Sequence, residues 1–139
     1  MSKSLRNLRR KYQNIVDQVV EELKHRRGIE AVLLSGSVAR GDFTTYSDIE
    51  FNVIVSKEDE VKFEEEDLWR SREIEGVCIE IYYASSESWR EEILSPKDEP
   101  RCLGQFSEAK ILYDPSGVAE PLVNLAKKTY AQFEYPPQY

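Results

Sequence analysis

The sequence predicts an α+β domain: a small mixed β-sheet with helices packed on one side. Three observations carry this. A long amphipathic stretch opens the chain, short apolar segments of strand length follow it, and helical stretches lie between and after those segments.

Leu5, Leu8, Tyr12, Ile15, Val16, Val19, Val20 and Leu23 recur in three- and four-residue steps. That spacing predicts a helix ending near Gly28, with cationic residues in its last turn. Residues 30–35, with Ile29, read as the first strand and 48–55 as the second. Residues 56–67 fit either a loop or a short acidic helix. Trp69 to Ile74 and Val77 to Ala84 read as two strands about a Glu75-Gly76 hairpin turn. Ser85 and Ser86 offer N-caps for a helix through Leu94. Residues 95–107, with Pro96 and Pro100, read as loop. Ala109 to Tyr113 make a short strand, and a last helix runs from about Val118 to Phe133, with Pro121 where a first turn tolerates it. Residues 134–139, with Pro136-Pro137, are expected to be a frayed tail after a single domain over 1–133. The chain has no internal repeat and no low-complexity segment.

A chain of 139 residues is long enough for one domain with a core of its own. Hydrophobic residues at 40% and charged residues at 32% fit a soluble globular class. No apolar run approaches the ~20 residues of a membrane span. The opening MSKSLRNLRRKYQ lacks the apolar core of a signal peptide, so a cytoplasmic address is expected. Cys78 and Cys102 then read as reduced thiols, without the spacing of a zinc site.

The formal net charge of −7 opposes sequence-independent attraction to nucleic acid. Lys3, Arg6, Arg9, Arg10 and Lys11 form one basic cluster, and Lys24 to Arg27 a second. Residues 58–67 are acidic. Clusters of this kind are more often solvated faces than binding patches.

The segment Leu34–Val55 reads LSGSVARGDFTTYSDIEFNVIV and says more about function than the rest of the chain. It runs from an apolar strand to Gly36-Ser37, through a polar loop, and into a strand opening Asp48-Ile49-Glu50. Alternation puts Asp48 and Glu50 on one face, while Ile49, Phe51, Val53 and Val55 take the other. Two carboxylates on a rigid strand beside a Gly-Ser turn suit the holding of divalent cations against a phosphate chain. On spacing alone, such acids more often mark a solvent-facing sheet, and a Gly-Ser turn is more often only a turn. Glu80, isolated in the apolar strand Val77 to Tyr83, is costly to bury unless paired or metal-bound, though strand-face glutamates are often simply solvated.

Gly36-Ser37 followed by Asp48-Ile49-Glu50 resembles the signature of the DNA polymerase beta nucleotidyltransferase superfamily, and Ala39-Arg40-Gly41 extends it in the form of its minimal members. Tyr46 to Glu50, Gly104-Gln105-Phe106, and Tyr113-Asp114 before Gly117 are further similar, in order, to the amino-terminal domain of kanamycin nucleotidyltransferases. The resemblance spans roughly Leu33 to Lys127 and implies a palm-like sheet. It implies that Asp48, Glu50 and Glu80 are catalytic carboxylates holding two Mg2+ ions, with Asp48 and Glu50 shared by both and Glu80 on the acceptor side. The longer Glu replaces the commoner Asp at position 50. Gly36 and Ser37 would meet the β and γ phosphates, Ser37 at the start of a short helix. Arg40 would meet the departing pyrophosphate, the plainer alternative being a pair with Asp42. Ser47 caps the loop before Asp48 and would touch a phosphate. His25 reads as structural or solvated, and Trp69, Tyr82, Tyr83 and Trp89 as core or interface rather than a base-stacking platform.

The implied activity is transfer of a nucleoside monophosphate, AMP from ATP, to a hydroxyl of a small molecule or protein. Kanamycin nucleotidyltransferases complete the acceptor site with a helical domain that has no counterpart here. A homodimer or a separate helical subunit, such as a HEPN protein of a toxin–antitoxin pair, is therefore expected to supply it. The alternative is a non-catalytic, nucleotide-binding, antitoxin-like partner of a HEPN protein. A nucleic-acid-end polymerase is disfavoured by the charge.

Overall fold

The computed structural model of the protein describes residues 2–66, 71–95 and 101–132. Helix α1, Lys3–Lys24, begins where the Ser2 hydroxyl accepts the Leu5 amide at 3.1 Å, satisfying a first-turn N–H. Its buried stripe is Tyr12, Ile15, Val16, Val19 and Leu23, whereas Leu5, first in the predicted stripe, stays at the surface. There follow β1 (Ile29–Ser35), α2 (Gly36–Arg40), β2 (Ile49–Val55), a 3-10 turn (Lys57–Asp59), α3 (Glu60–Glu65), β3 (Ser71–Ile74) and β4 (Val77–Ser85). The chain continues with α4 (Ser86–Leu94), α5 (Arg101–Ser107), β5 (Lys110–Tyr113) and α6 (Ala119–Gln132).

The strands form one five-stranded sheet in the order β3-β4-β2-β1-β5. Three pairings are antiparallel, and β2 with β4 is parallel, so the sheet is mixed as expected. The Glu75-Gly76 turn joins β3 to β4 with φ of 49° and 79°, the paired positive angles of a hairpin turn matched to strand twist.

The helices cover both faces of the sheet rather than one. Alternation decides which side each residue serves. Val32, Leu34, Phe51, Val53, Val55, Ile79 and Ile81 pack with α1 and with Phe63 of α3. Ala31, Leu33 and Ile54 pack on the other face with α4, α5 and α6. The central strands are therefore buried on both sides, as the nearly continuous apolar runs of β1 and β2 require.

Residues 101–107, expected as loop, are helix α5. Leu103 and Phe106 lie three apart, so one helical face carries both, and both are fully buried; Phe106 sits 5.0 Å from the Trp89 ring. Residues 56–66 resolve into the 3-10 turn and α3. Trp69, Pro96, Pro100, Phe133, the side chain of Cys102 and the tail expected over 134–139 lie outside the described residues. Among the described residues, no helix is long and apolar enough to cross a membrane.

The charge clusters are partly paired rather than only solvated. Arg26 donates to Glu66 while its guanidinium lies 4.6 Å over the Phe63 ring, linking the basic end of α1 to the acidic segment. His25 is exposed and bonded to Glu21 at 2.8 Å.

Glu60 ties α3 to the end of the sheet: its carboxylate accepts the Ser85 amide at 2.6 Å, where Ser85 closes β4 and caps α4. That backbone hydrogen bond holds the Glu60 carboxyl below its ordinary value. A carboxyl with a depressed folded-state pKa contributes stability above the unfolded value of about 4.3, and loses it as pH falls through the depressed one. Glu60→Gln is expected to lower stability at neutral pH by about 1 kcal/mol. The deficit should shrink below about pH 4, read by denaturant unfolding across pH. An equal deficit at pH 3 and pH 7 would contradict the linkage.

Candidate functional site

The parallel pairing of β2 with β4 sets Ile49 opposite Ile79 and Glu50 opposite Glu80. Antiparallel pairing sets Ser35, the last residue of β1, against Glu50 from the other side. The C-terminal end of β1 and the N-terminal parts of β2 and β4 thus meet at one end of the sheet. Glu50, Cys78, Glu80 and Tyr82 share the face that carries α4 to α6, because their odd-numbered neighbours fill the α1 side.

Asp48 stands just before β2 rather than within it, and is exposed. One ligand atom from each of Asp48, Cys78 and Glu80 lies within 4.8 Å of the others. The structure therefore brings together two of the three predicted carboxylates and adds a thiol that sequence reasoning set aside. Glu50 is not one of that trio. Its carboxylate lies against Gly36, so close that a Cβ there would sit 2.9 Å from Oε2. Gly36 also has φ of 74°, so the turn demands glycine for conformation as well as for space. A Glu-for-Asp chain, one methylene longer, is what reaches across to the turn.

The remaining predicted residues lie on α2 and on the loop that leads to Asp48. Gly36 and Ser37 open α2, with Ser35 as its N-cap residue. The Ser35 hydroxyl does not cap the helix; it accepts a 2.6 Å hydrogen bond from the Asn52 amide, and both residues are buried. Arg40 pairs with Asp42 at 3.3 Å and Glu108 at 3.2 Å, and these two hydrogen bonds, Asp42's first, raise its pKa. Ser47 caps the loop as expected, its hydroxyl accepting the Thr44 amide at 2.9 Å.

Tyr12 fixes that loop from beneath. Its hydroxyl donates to the carbonyl oxygens of Ser47 at 2.8 Å and Thr44 at 3.2 Å, with its ring 4.8 Å from Phe43. Burial, and secondarily the charge of Asp48, push the phenol above its ordinary value, so it stays a donor through the neutral range. A helix residue that reads as plain core thus anchors the approach to Asp48.

Three further residues escaped sequence reasoning. Tyr82 donates its hydroxyl to Glu80 Oε2 at 2.8 Å from two residues along the same face of β4. Asn52 stands on the Glu50 face of a strand otherwise apolar beyond that acid, and this lone amide was a readable signal. Cys78 precedes Glu80 by two, a signal legible only once the parallel register to Asp48 is known. The later matched segments are structural: Phe106 is core, and the Asp114 carboxylate accepts the Ala119 amide at 3.1 Å to cap α6.

Residues 16–112 match the family described as Nucleotidyltransferase domain. No curated protein matches the chain. A solved structure described as a toxin–antitoxin with AMP-PNP is 15% identical, covering 84% of this chain and 86% of its own, with a TM-score of 0.46. The family match spans most of the chain, takes in every predicted site residue from Gly36 to Glu80, and agrees with the mixed sheet observed. The chain belongs to the nucleotidyltransferase domain family.

Proposed function

We propose that the domain transfers a nucleoside monophosphate, AMP from ATP, to a hydroxyl of a small molecule or protein, with Mg2+ bound at the acidic end of the sheet. The observation that carries this is the convergence of Asp48 and Glu80 within 4.8 Å, from two parallel-paired segments beside the Gly36-Ser37 turn. The donor set fits the ion: oxygen ligands suit Mg2+, and two carboxylates that close repel unless a cation lies between them. Glu50, opposite Glu80 in register, would supply the third carboxylate. Asp48 and Glu50 would hold both ions of a pair and Glu80 the acceptor-side one. Mg2+ held by these carboxylates would supply charge neutralisation for triphosphate oxygens and a lowered pKa for the acceptor hydroxyl.

The chain's own groups then bind and orient. Main-chain N–H groups at Gly36 and Ser37, with the Ser37 hydroxyl, would hold the β and γ phosphates. Ser47 and Tyr12 hold the loop that carries Asp48. Arg40 would turn from Asp42 and Glu108 to the pyrophosphate as it leaves. The Tyr82 hydroxyl occupies one oxygen of Glu80 and leaves the other to the ion. Asp48 is exposed, which supports an acceptor site completed by another chain: a second copy or a separate helical subunit.

A second reading is nucleotide binding without transfer, as an antitoxin-like partner of a helical HEPN protein. One observation favours it: Arg40 is already engaged by two carboxylates, leaving the turn without an unengaged cation at that position.

Asp48→Ala is expected to cut transfer of label from α-labelled ATP to an acceptor by about a thousandfold, with unchanged thermal unfolding. Aminoglycosides would be screened first, then proteins. Undiminished transfer in the variant would sink the mechanism. The second reading expects Mg2+-dependent ATP binding, no labelled acceptor, and stable association with a helical protein; any Asp48-dependent transfer removes it. Tyr82→Phe is expected to weaken divalent-cation affinity by about 10- to 100-fold, read by calorimetry. Unaltered affinity would take Tyr82 out of the site.

A further inference from the structure

We propose that Cys78 makes the Asp48–Cys78–Glu80 cluster a mixed thiolate–carboxylate site that takes a thiophilic divalent cation, zinc foremost, in competition with Mg2+. This rests on the nucleotidyltransferase reading of the same site. The geometry comes from the sheet. Cys78 and Glu80 are alternate residues of β4 and project together, and the Ile49–Ile79 pairing sets Cys78 one step earlier, alongside Asp48. Donor atoms of all three already lie within 4.8 Å of one another. Sulfur and oxygen ligands around tetrahedral zinc sit about 3.5 Å apart, so closure by about 1 Å brings the three to bonding distance.

The donor chemistry separates the two cations. Mg2+ takes oxygen ligands and has no use for a sulfur. Zinc takes sulfur and oxygen together and outranks magnesium at any site offering a soft ligand. On zinc binding, the Cys78 Sγ–H proton leaves to solvent and the thiolate becomes a ligand. Asp48 and Glu80 complete three protein ligands, and the fourth position stays open to water or a phosphate oxygen. The consequence is inhibition: zinc held by Cys78 occupies the carboxylates that Mg2+ needs.

Cobalt(II) titration of the full chain tests this, because a bound thiolate gives a near-ultraviolet sulfur-to-cobalt charge-transfer band. The wild type is expected to give the band at one equivalent, to lose it when zinc is added, and to show it diminished by excess Mg2+. Cys78→Ser should abolish the band, and Cys102→Ser should retain it. Zinc affinity in Cys78→Ser should fall by more than the roughly 10- to 100-fold lost with an outer-shell partner. No band in the wild type, or a band that survives Cys78→Ser, overturns the proposal. Should Cys78→Ser fail to fold, the combined Asp48→Asn, Glu80→Gln variant decides: a band of undiminished affinity there overturns it equally. Calorimetry of Mg2+-ATP on the wild type separates the two readings. ATP binding without a cobalt band sinks the thiolate site alone; neither signal sinks the nucleotidyltransferase reading as well.

Discussion

One parallel strand pair inside an otherwise antiparallel sheet sets where every acidic group at the site falls. Because β2 and β4 run the same way, Glu50 faces Glu80 and the approach to β2 brings Asp48 beside Cys78. Parallel neighbours cannot be joined by a tight turn, so the chain between them must cross over, and here it does so through α3 and β3. The register is held by burial: Ile49, Phe51, Ile79 and Ile81 all lie at 0% exposure on the α1 side. A slip of one residue would send Glu80 into that core and expel Ile79 or Ile81 from it. Burying an unpaired carboxylate costs several kilocalories per mole, which enforces the register.

Around that pair, the fold supplies connections that read as support for one loop and one turn. Tyr12, projecting from the long helix, bonds the loop before Asp48, while Asn52 bonds Ser35 beneath the Gly36 turn. Glu50 packs over that turn, where only glycine leaves room for it. The acidic end of the sheet is thus braced by neutral donors, Tyr12 on the loop, Asn52 at the turn and Tyr82 on Glu80.

Much of this was legible from the residues alone. The helical stripe of α1, the two central strands and the Glu75-Gly76 turn followed from periodicity and turn chemistry, which are local signals. Asp48 and Glu80 were singled out by the resemblance of the Gly36-to-Glu50 segment to a known signature, since on spacing alone such acids more often face solvent. Helix α5 was not read, because two prolines ahead of it looked like a loop while the Leu103–Phe106 spacing is too short to establish a period. The burial of both sheet faces was missed since which helix covers which face is a long-range property. The thiol at the site was missed for the same reason: Cys78 and Asp48 are thirty residues apart, and only strand pairing makes them neighbours.

The central claim, that the acidic end of this sheet holds a nucleotide through divalent cations, is tested most directly by calorimetric titration of ATP with and without Mg2+, on wild type and on Asp48→Ala. Binding that requires both the cation and Asp48 is the predicted result. ATP binding of equal strength without Mg2+, or unchanged by loss of Asp48, would contradict it.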